Sequence, residues 1–270
     1  MWAGILATQS TSKYSKTIFI SDVHIPYQDT KAIELTLDIV KEYKLTSNDY
    51  IILGGDLIDY YPISQFSPDL VNSNIDIELF ETVEFLNNLR KLVNNANIIF
   101  FEGNHEQRMQ KKIMSSCSAL APFLKNKLSI RELLEFRKFD IRQVKTPYSK
   151  KKKLYFMHGH EKRGFITPKH IAHVHLQHTN RNVIVGHHHR FDMFITTQMD
   201  GSLLGGWCNG CLCDLSKMPD GLYTAFDSSQ RGITVVFEKP NGLFSVVQHL
   251  YIPNKNRGYE CLINGKEFIR

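Results

Sequence analysis

The sequence predicts an α/β fold built on a parallel sheet, and three observations predict it. Short apolar runs rich in β-branched and aromatic residues recur through the first two thirds of the chain, stretches of helical period lie between the early ones, and the two kinds alternate as βαβαβ. Residues 17–20 (Thr-Ile-Phe-Ile) open the series with the composition of a buried strand. Ile33, Leu37 and Val40 then recur at the spacing of one helix face. Residues 50–53 form the second strand, Leu79, Val83, Leu86 and Leu89 mark a second helix, and residues 97–101 form the third strand. Runs at 154–157 and 182–185 repeat the strand composition. Beyond them Gly205, Gly206, Trp207 and Gly210 predict a tight loop behind a short strand at Leu203 and Leu204. Residues 233–237 and 243–247, joined by Lys239-Pro240-Asn241-Gly242, have the composition and turn chemistry of a β-hairpin, which we expect to complete a second sheet.

With 270 residues, 42% of them hydrophobic, the chain can bury one large core, and no Pro-, Gly- or Ser-rich linker divides it. We expect a single domain over 1–270, with a Ser-, Thr- and Lys-rich loose arm within residues 1–16. No apolar run is long enough to span a bilayer, and residues 1–7 lack a basic leader and a cleavage pattern. A cytoplasmic location away from membranes follows as an expectation. The odd total of five cysteines argues against a disulfide framework. Cys208, Cys211 and Cys213 have the look of a zinc-knot fragment but lack a nearby fourth ligand, so reduced thiols are expected.

Five short motifs follow five of these strands: Asp22-Val23-His24, Gly55-Asp56, Gly103-Asn104-His105-Glu106, His158-Gly159 and Gly186-His187-His188-His189. In open α/β sheets, sites form outside the carboxyl ends of the strands. Together the motifs supply enough oxygen and imidazole donors for two divalent cations, which sit about 3.5–4 Å apart in sites that clamp the attacking and leaving oxygens of a phosphoryl displacement. Only an anion with two donor oxygens bridges two such ions cheaply, and Asp56 is the expected bridge. Asp22 and His24 would bind the first ion, Asn104 and His158 the second, with His187 and His189 divided between them. Mixed carboxylate and imidazole donors suit manganese, with zinc or iron as alternatives. Residues two apart on an extended segment point the same way, so Asp22 with His24, and His187 with His189, can each converge while Val23 and His188 turn aside. His158 is the expected ligand of its His-Gly-His run, although His160 could exchange with it.

The ordered set Asp-x-His, Gly-Asp-x-x-Asp, Gly-Asn-His-Glu, His-Gly and Gly-His-x-His, here Asp22 to His24, Gly55 to Asp59, Gly103 to Glu106, His158 with Gly159, and Gly186 to His189, resembles the calcineurin-like metallophosphoesterase family. The resemblance spans residues 17–190 and implies a four-layer αββα sandwich. It also assigns His105 to catalysis, as the imidazole that contacts the scissile phosphate and protonates the leaving oxygen. The branch acting on phosphoserine and phosphothreonine carries Asp-Arg-Gly after the bridging aspartate and an arginine before Gly-Asn-His-Glu. This chain has Asp59-Tyr60-Tyr61 and Glu102 at those places. Its Gly-Asn-His-Glu-Gln-Arg run and the Gly-Cys-Leu-Cys-Asp stretch from Gly210 to Asp214 look more like metallophosphoesterases of phage and mobile-element genomes.

Charge suggests the substrate. Residues 108–153 hold fourteen Lys or Arg against Glu132, Glu135 and Asp140, a net +11 in a chain whose total is +6. Positive potential directly after the Gly-Asn-His-Glu motif would draw in a polyanion, and nucleic acid is the expected substrate. Lys150 to Lys153 alone read as a solvated turn. Phe123, Phe136, Phe139 and Tyr148 are interleaved with the charges and could stack on bases or belong to the core. Asp59 is expected to orient a ligating histidine or cap a helix, Glu106 to fix the His105 tautomer or begin a helix, and His188 and Arg108 to touch substrate or support the ligands. His170, His173, His175 and His178 spread over more than half of a helix circumference and cannot share one ion. The resulting expectation is two-metal hydrolysis of phosphodiester bonds by a metal-bridging hydroxide. A phosphomonoesterase for nucleotides or phosphoproteins is the runner-up, and a non-catalytic scaffold of the same fold comes third.

Overall fold

The computed structural model describes residues 14–64, 74–145, 148–150, 153–161, 170–217, 228–256 and 258–270. β1 (Ser15–Ile20), α1 (Thr30–Glu42), β2 (Tyr50–Leu53), α2 (Ile75–Val93) and β3 (Asn97–Phe101) realise the predicted βαβαβ series. Asp29 starts α1 by accepting from the Ala32 amide, and Asn74 starts α2 by accepting from Asp76. The short helices α3 (Gln107–Ser116), α4 (Ala121–Lys127) and α5 (Ile130–Leu133) precede β4 (Ile141–Val144), β5 (Tyr148–Lys150) and β6 (Leu154–Met157). Then come α6 (Ile171–Thr179), β7 (Val183–Val185), β8 (Asp192–Thr197) and β9 (Leu203–Cys208). The C-terminal strands are β10 (Gly232–Glu238), β11 (Phe244–Leu250), β12 (Ile252–Pro253), β13 (Tyr259–Ile263) and β14 (Lys266–Ile269).

These strands form a six-stranded sheet ordered β11-β10-β1-β2-β3-β4, with β1 to β4 parallel, and a five-stranded sheet ordered β5-β6-β7-β9-β8, with β6, β7 and β9 parallel. Strand alternation sends Phe19, Ile52 and Ile99 to one face, where they meet Phe156, Ile184 and Trp207 of the second sheet. The Phe19 and Phe156 ring centres are 5.7 Å apart. Their neighbours Ile18, Ile20, Ile51 and Phe100 face the other way, onto Leu35 and Ile39 of α1 and Leu86 and Leu89 of α2. Behind the second sheet, Met157, Val183 and Val185 meet Ile171 of α6. The order is helices, sheet, sheet, helix: the four-layer αββα sandwich. Burying each such side chain stabilises the fold by about 1.5–3 kcal/mol. A third sheet, β12-β13-β14, closes over α1, where Tyr259 Oη donates to Asp29 at 2.6 Å.

Three expectations need correcting. The hairpin β10-β11 does not build the second sheet; it joins the first, because β10 pairs antiparallel with β1. Gly205 and Gly206 lie inside β9 rather than in a loop, since the Trp207 ring folds over Gly205 and the Ala172 carbonyl of α6 approaches Gly206 too closely for a Cβ. The arm is shorter than residues 1–16, because Ser15 and Lys16 pair with Glu238 and Phe237 and the Tyr14 ring meets Phe237 at 5.6 Å. Residues 1–13 lie outside the described residues, as do Lys151 and Lys152, and so does the Tyr148 side chain. Among the described residues no helix is long and apolar enough to cross a membrane.

Candidate metal centre

The carboxyl ends of β1, β2 and β3 in one sheet and of β6 and β7 in the other meet at one edge of the sandwich. Each continues directly into one of the five motifs. Close approach there depends on glycine. A Cβ on Gly103 would collide with the Asp56 carboxylate and amide, and one on Gly186 would lie 2.7 Å from Asp22 Oδ2.

Asp56 sits at the middle. Its Oδ2 is 3.1 Å from His158 Nε2 and 3.8 Å from both His24 Nε2 and His105 Nε2, while its Oδ1 accepts from the His105 amide at 2.9 Å. On one side, His24 Nε2 and His189 Nε2 face each other at 3.3 Å, and His189 Nε2 is 3.4 Å from Asp22 Oδ1. On the other, His158 Nε2 lies 3.2 Å from Asn104 Oδ1, and Asp56, His158 and His187 place donor atoms within 4.8 Å of one another. The seven residues singled out as ligands are thus brought together, in two groups that share Asp56.

The backbone route differs from expectation. Asp22, His24, His187 and His189 are not extended; their φ angles are 58°, 51°, 67° and 57°, and Asp56 has 51°. Left-handed non-glycine residues cost about 1–3 kcal/mol each and persist where surrounding bonds fix them. Here the Asp22 amide donates to Gly55 O, the His24 amide to Asp56 O, and the His187 amide to the Asp22 carboxylate. Convergence therefore comes from kinked loops whose intervening residues still turn aside. Val23 is buried in the core, and His188 faces His175 of α6, Nε2 to Nε2 at 2.9 Å. Within the histidine cluster His173 rests on the Phe194 ring, and His175 is the member that reaches the site's edge, through His188.

The far nitrogens of His24, His105 and His158 are held. His24 Nδ1 donates to Asp59 Oδ2 at 2.9 Å, His105 Nδ1 to the Asp59 carbonyl at 2.9 Å, and His158 Nδ1 to the Gly54 carbonyl at 2.8 Å. Such contacts fix the tautomer and turn Nε2 inward. Asp59 is not a helix cap. Arg108 Nη1 donates to Asp59 Oδ1 at 3.0 Å, and its Nη2 lies 3.2 Å from His105 Nε2. His160 stays outside the centre, 3.0 Å from the Gln107 side chain.

Glu106 does more than start α3 and does not set the His105 tautomer. Its buried carboxylate accepts from the amides of Asp56 at 2.9 Å, Leu57 at 2.7 Å and Gly103 at 2.7 Å, locking two motifs together. Glu78 of α2, which sequence reasoning missed, accepts from the Tyr60 and Tyr61 amides at 2.7 and 3.2 Å and holds the far end of the same loop. Cys213, in sequence no more than a knot fragment, places its Sγ 3.7 Å behind His189 Nδ1. All five cysteines are free thiols.

Burial alone would raise the Asp22 and Asp56 carboxyls, but the adjacent imidazoles override it and hold both well below the usual range. Burial would likewise lower His158 and His189. The Asp56 carboxylate outweighs it at His158, pushed up to about 10, and Cys211 with Asp22 outweigh it at His189, pushed up to about 9. His187, buried and beside His158, falls to about 4. Ionised carboxylates ringed by imidazole nitrogens within 4.8 Å of one another form a donor set that fits two divalent metals.

The basic segment is less uniform than expected. Arg108, Lys111 and Lys112 flank the centre, whereas Arg131 and Lys138 pair with their neighbours Glu132 and Glu135. Phe136 and Phe139 are core residues, and Phe123 is exposed beneath Lys127.

A crystal structure of a protein of unknown function from Aquifex aeolicus is similar at 15% identity, over 65% of this chain and 80% of that one, with a TM-score of 0.33. No curated protein matches the chain. The family model for calcineurin-like phosphoesterases matches residues 15–206, the stretch that carries all five motifs and both sheets' contributions to the centre. With that match, the chain belongs to the calcineurin-like phosphoesterase family, whose chemistry is metal-dependent phosphoester hydrolysis.

Proposed function

We propose that this chain is a two-metal phosphodiesterase that cleaves nucleic acid. The observation that carries the catalytic part is the Asp56 carboxylate lying between two donor groups, each drawn from both sheets. In this reading Asp22, His24, Asp56 and His189 hold one ion, and Asp56, Asn104, His158 and His187 hold the other, manganese being the favoured metal. When bound, such a pair supplies charge against the phosphoryl oxygens and acidifies water for attack.

The chain's own residues do the rest. His105 presents Nε2 toward Asp56 and, as the imidazolium that the Asp56 and Asp59 charges favour, gives its Nε2 proton to the departing oxygen while Nδ1–H stays on the Asp59 carbonyl. Asp59 orients His105 and His24 together. Arg108 turns its guanidinium from His105 to a phosphoryl oxygen as substrate enters, which frees Nε2 for the leaving group. The substrate class rests on Arg108, Lys111 and Lys112 beside the centre, and on Tyr60 and Glu102 standing where the phosphoprotein branch has arginines. The Gly-Asn-His-Glu-Gln-Arg run and the stretch from Gly210 to Asp214 support the phage and mobile-element type.

The test is a substrate panel with manganese, zinc or magnesium: single- and double-stranded DNA, RNA, bis-p-nitrophenyl phosphate and p-nitrophenyl phosphate. Turnover of bis-p-nitrophenyl phosphate and a nucleic acid, fastest with manganese, is expected. Turnover of the monoester alone overturns the proposal in favour of a phosphomonoesterase.

A further inference from the structure

Beside the metal centre lies a cavity of about 500 Å³ whose lining includes Ser64, Asn104, Arg108, Lys111, Lys112 and Ser115. Four of these follow from helix geometry. Arg108, Lys111, Lys112 and Ser115 fall on one stripe of α3 at spacings of three, four and seven, while Met109 and Ile113 point the other way into the core. No described residue lining the cavity is acidic. Arg108 is engaged by Asp59, but Lys111 and Lys112 are exposed and form no ion pair among the described residues. Two ammonium groups with no carboxylate partner among the described residues, beside the Asn104 amide, make a donor set for phosphoryl oxygens.

The cavity opens onto the reacting end through two shared side chains. Asn104 lines it while its Oδ1 touches His158, and Arg108 lines it while its guanidinium touches His105. From Arg108 to Ser115 the helix rises about 10 Å. A duplex strand carries a phosphate every ~3.4 Å of axis, so the stripe reaches well beyond the scissile group.

We propose that this cavity is a second phosphate subsite, holding the phosphate next to the scissile one in a nucleic-acid strand. The proposal rests on the phosphodiesterase reading above and adds what that reading lacks, a preference for substrates with a second phosphate.

The kinetic test uses the full chain with manganese and compares a dinucleoside monophosphate with the same molecule carrying an extra 5′ or 3′ terminal phosphate. For one of the two ends, wild type is expected to show a KM lower by about tenfold. The double variant Lys111→Ala/Lys112→Ala should lose that preference, its KM rising more on the two-phosphate substrate than on the one-phosphate substrate, and Lys111→Arg/Lys112→Arg should retain it. A wild type indifferent to the extra phosphate overturns the subsite. So does a double variant that still discriminates, or a Lys125→Ala/Lys127→Ala control that loses discrimination equally.

A binding arm needs no turnover. A fluorescent phosphorothioate trinucleotide, titrated onto the manganese-loaded protein, should bind more weakly to the double alanine variant, with a shallower salt dependence. If wild type cleaves no diester yet this loss appears, the phosphodiesterase reading falls, and what survives of the proposal is phosphate binding by Lys111 and Lys112 in the cavity. If wild type cleaves diesters and neither arm changes, the subsite falls alone.

Discussion

His105 shows how one side chain can be essential to turnover and dispensable for binding metal. Its amide, not its ring, bonds to Asp56, and its ring is held by the Asp59 carbonyl. Replacing the ring therefore leaves the seven proposed ligands in place. His105→Ala is expected to lower kcat by ~100-fold or more, the usual scale for a general acid, with manganese stoichiometry unchanged. Steady-state kinetics beside metal analysis checks both halves, and unimpaired turnover would remove His105 from the mechanism. At this scale the sequence was readable where chemistry and order coincide, as in Asp22, His24 and Asp56. It was unreadable where a role depends on a long-range contact. Glu106 grips the Asp56 amide from fifty residues away, and Cys213 reaches His189 because the Leu212 amide pairs with the Asp22 carbonyl. Local pattern holds no trace of either.

Among the elements, the loop after β2 shows the balance of forces most clearly. It carries Asp56 and Tyr60 in left-handed conformations and has its amides taken up by two buried carboxylates, Glu106 and Glu78. Burial, reinforced by the charge of Asp59, pushes the Glu78 carboxyl up to about 8 against the pull of the two amides it accepts from. Between its ordinary value near 4.5 and about 8, the folded protein holds a proton that the unfolded chain has released, so stability falls as pH rises through that window. Glu78→Gln cannot titrate. Urea unfolding from pH 4.5 to 8 should show a shallower pH slope in that variant than in wild type, and equal slopes would contradict the assignment. Periodicity and composition disclosed α1, α2 and the strands β1, β2, β3, β6 and β7, since burial on one helix face or two sheet faces leaves a mark in sequence. β9 was hidden because Gly205 and Gly206 serve close packing under Trp207 and Ala172, a need that looks like a turn on paper.

Across the whole molecule, the first sheet provides Asp22, His24, Asp56 and Asn104, and the second provides His158, His187 and His189. Metal held between them would tie the two sheets at one edge of the sandwich. Saturating manganese is accordingly expected to stabilise the protein by about 2.7 kcal/mol for each ion bound at a hundredfold excess over its Kd, seen as a rise in Tm that a chelator reverses. An unchanged Tm would mean that the ions do not bridge the layers. The layered plan came from the resemblance, and the assignment of β10-β11 to the wrong sheet shows the limit of composition, because β10 pairs with β1 some two hundred residues earlier. Equilibrium dialysis against manganese, comparing wild type with Asp56→Asn, tests the shared carboxylate most directly. Two ions per wild-type chain and fewer than two in the variant are expected, whereas one ion in wild type, or two held equally well without the carboxylate, would contradict a dinuclear centre bridged by Asp56.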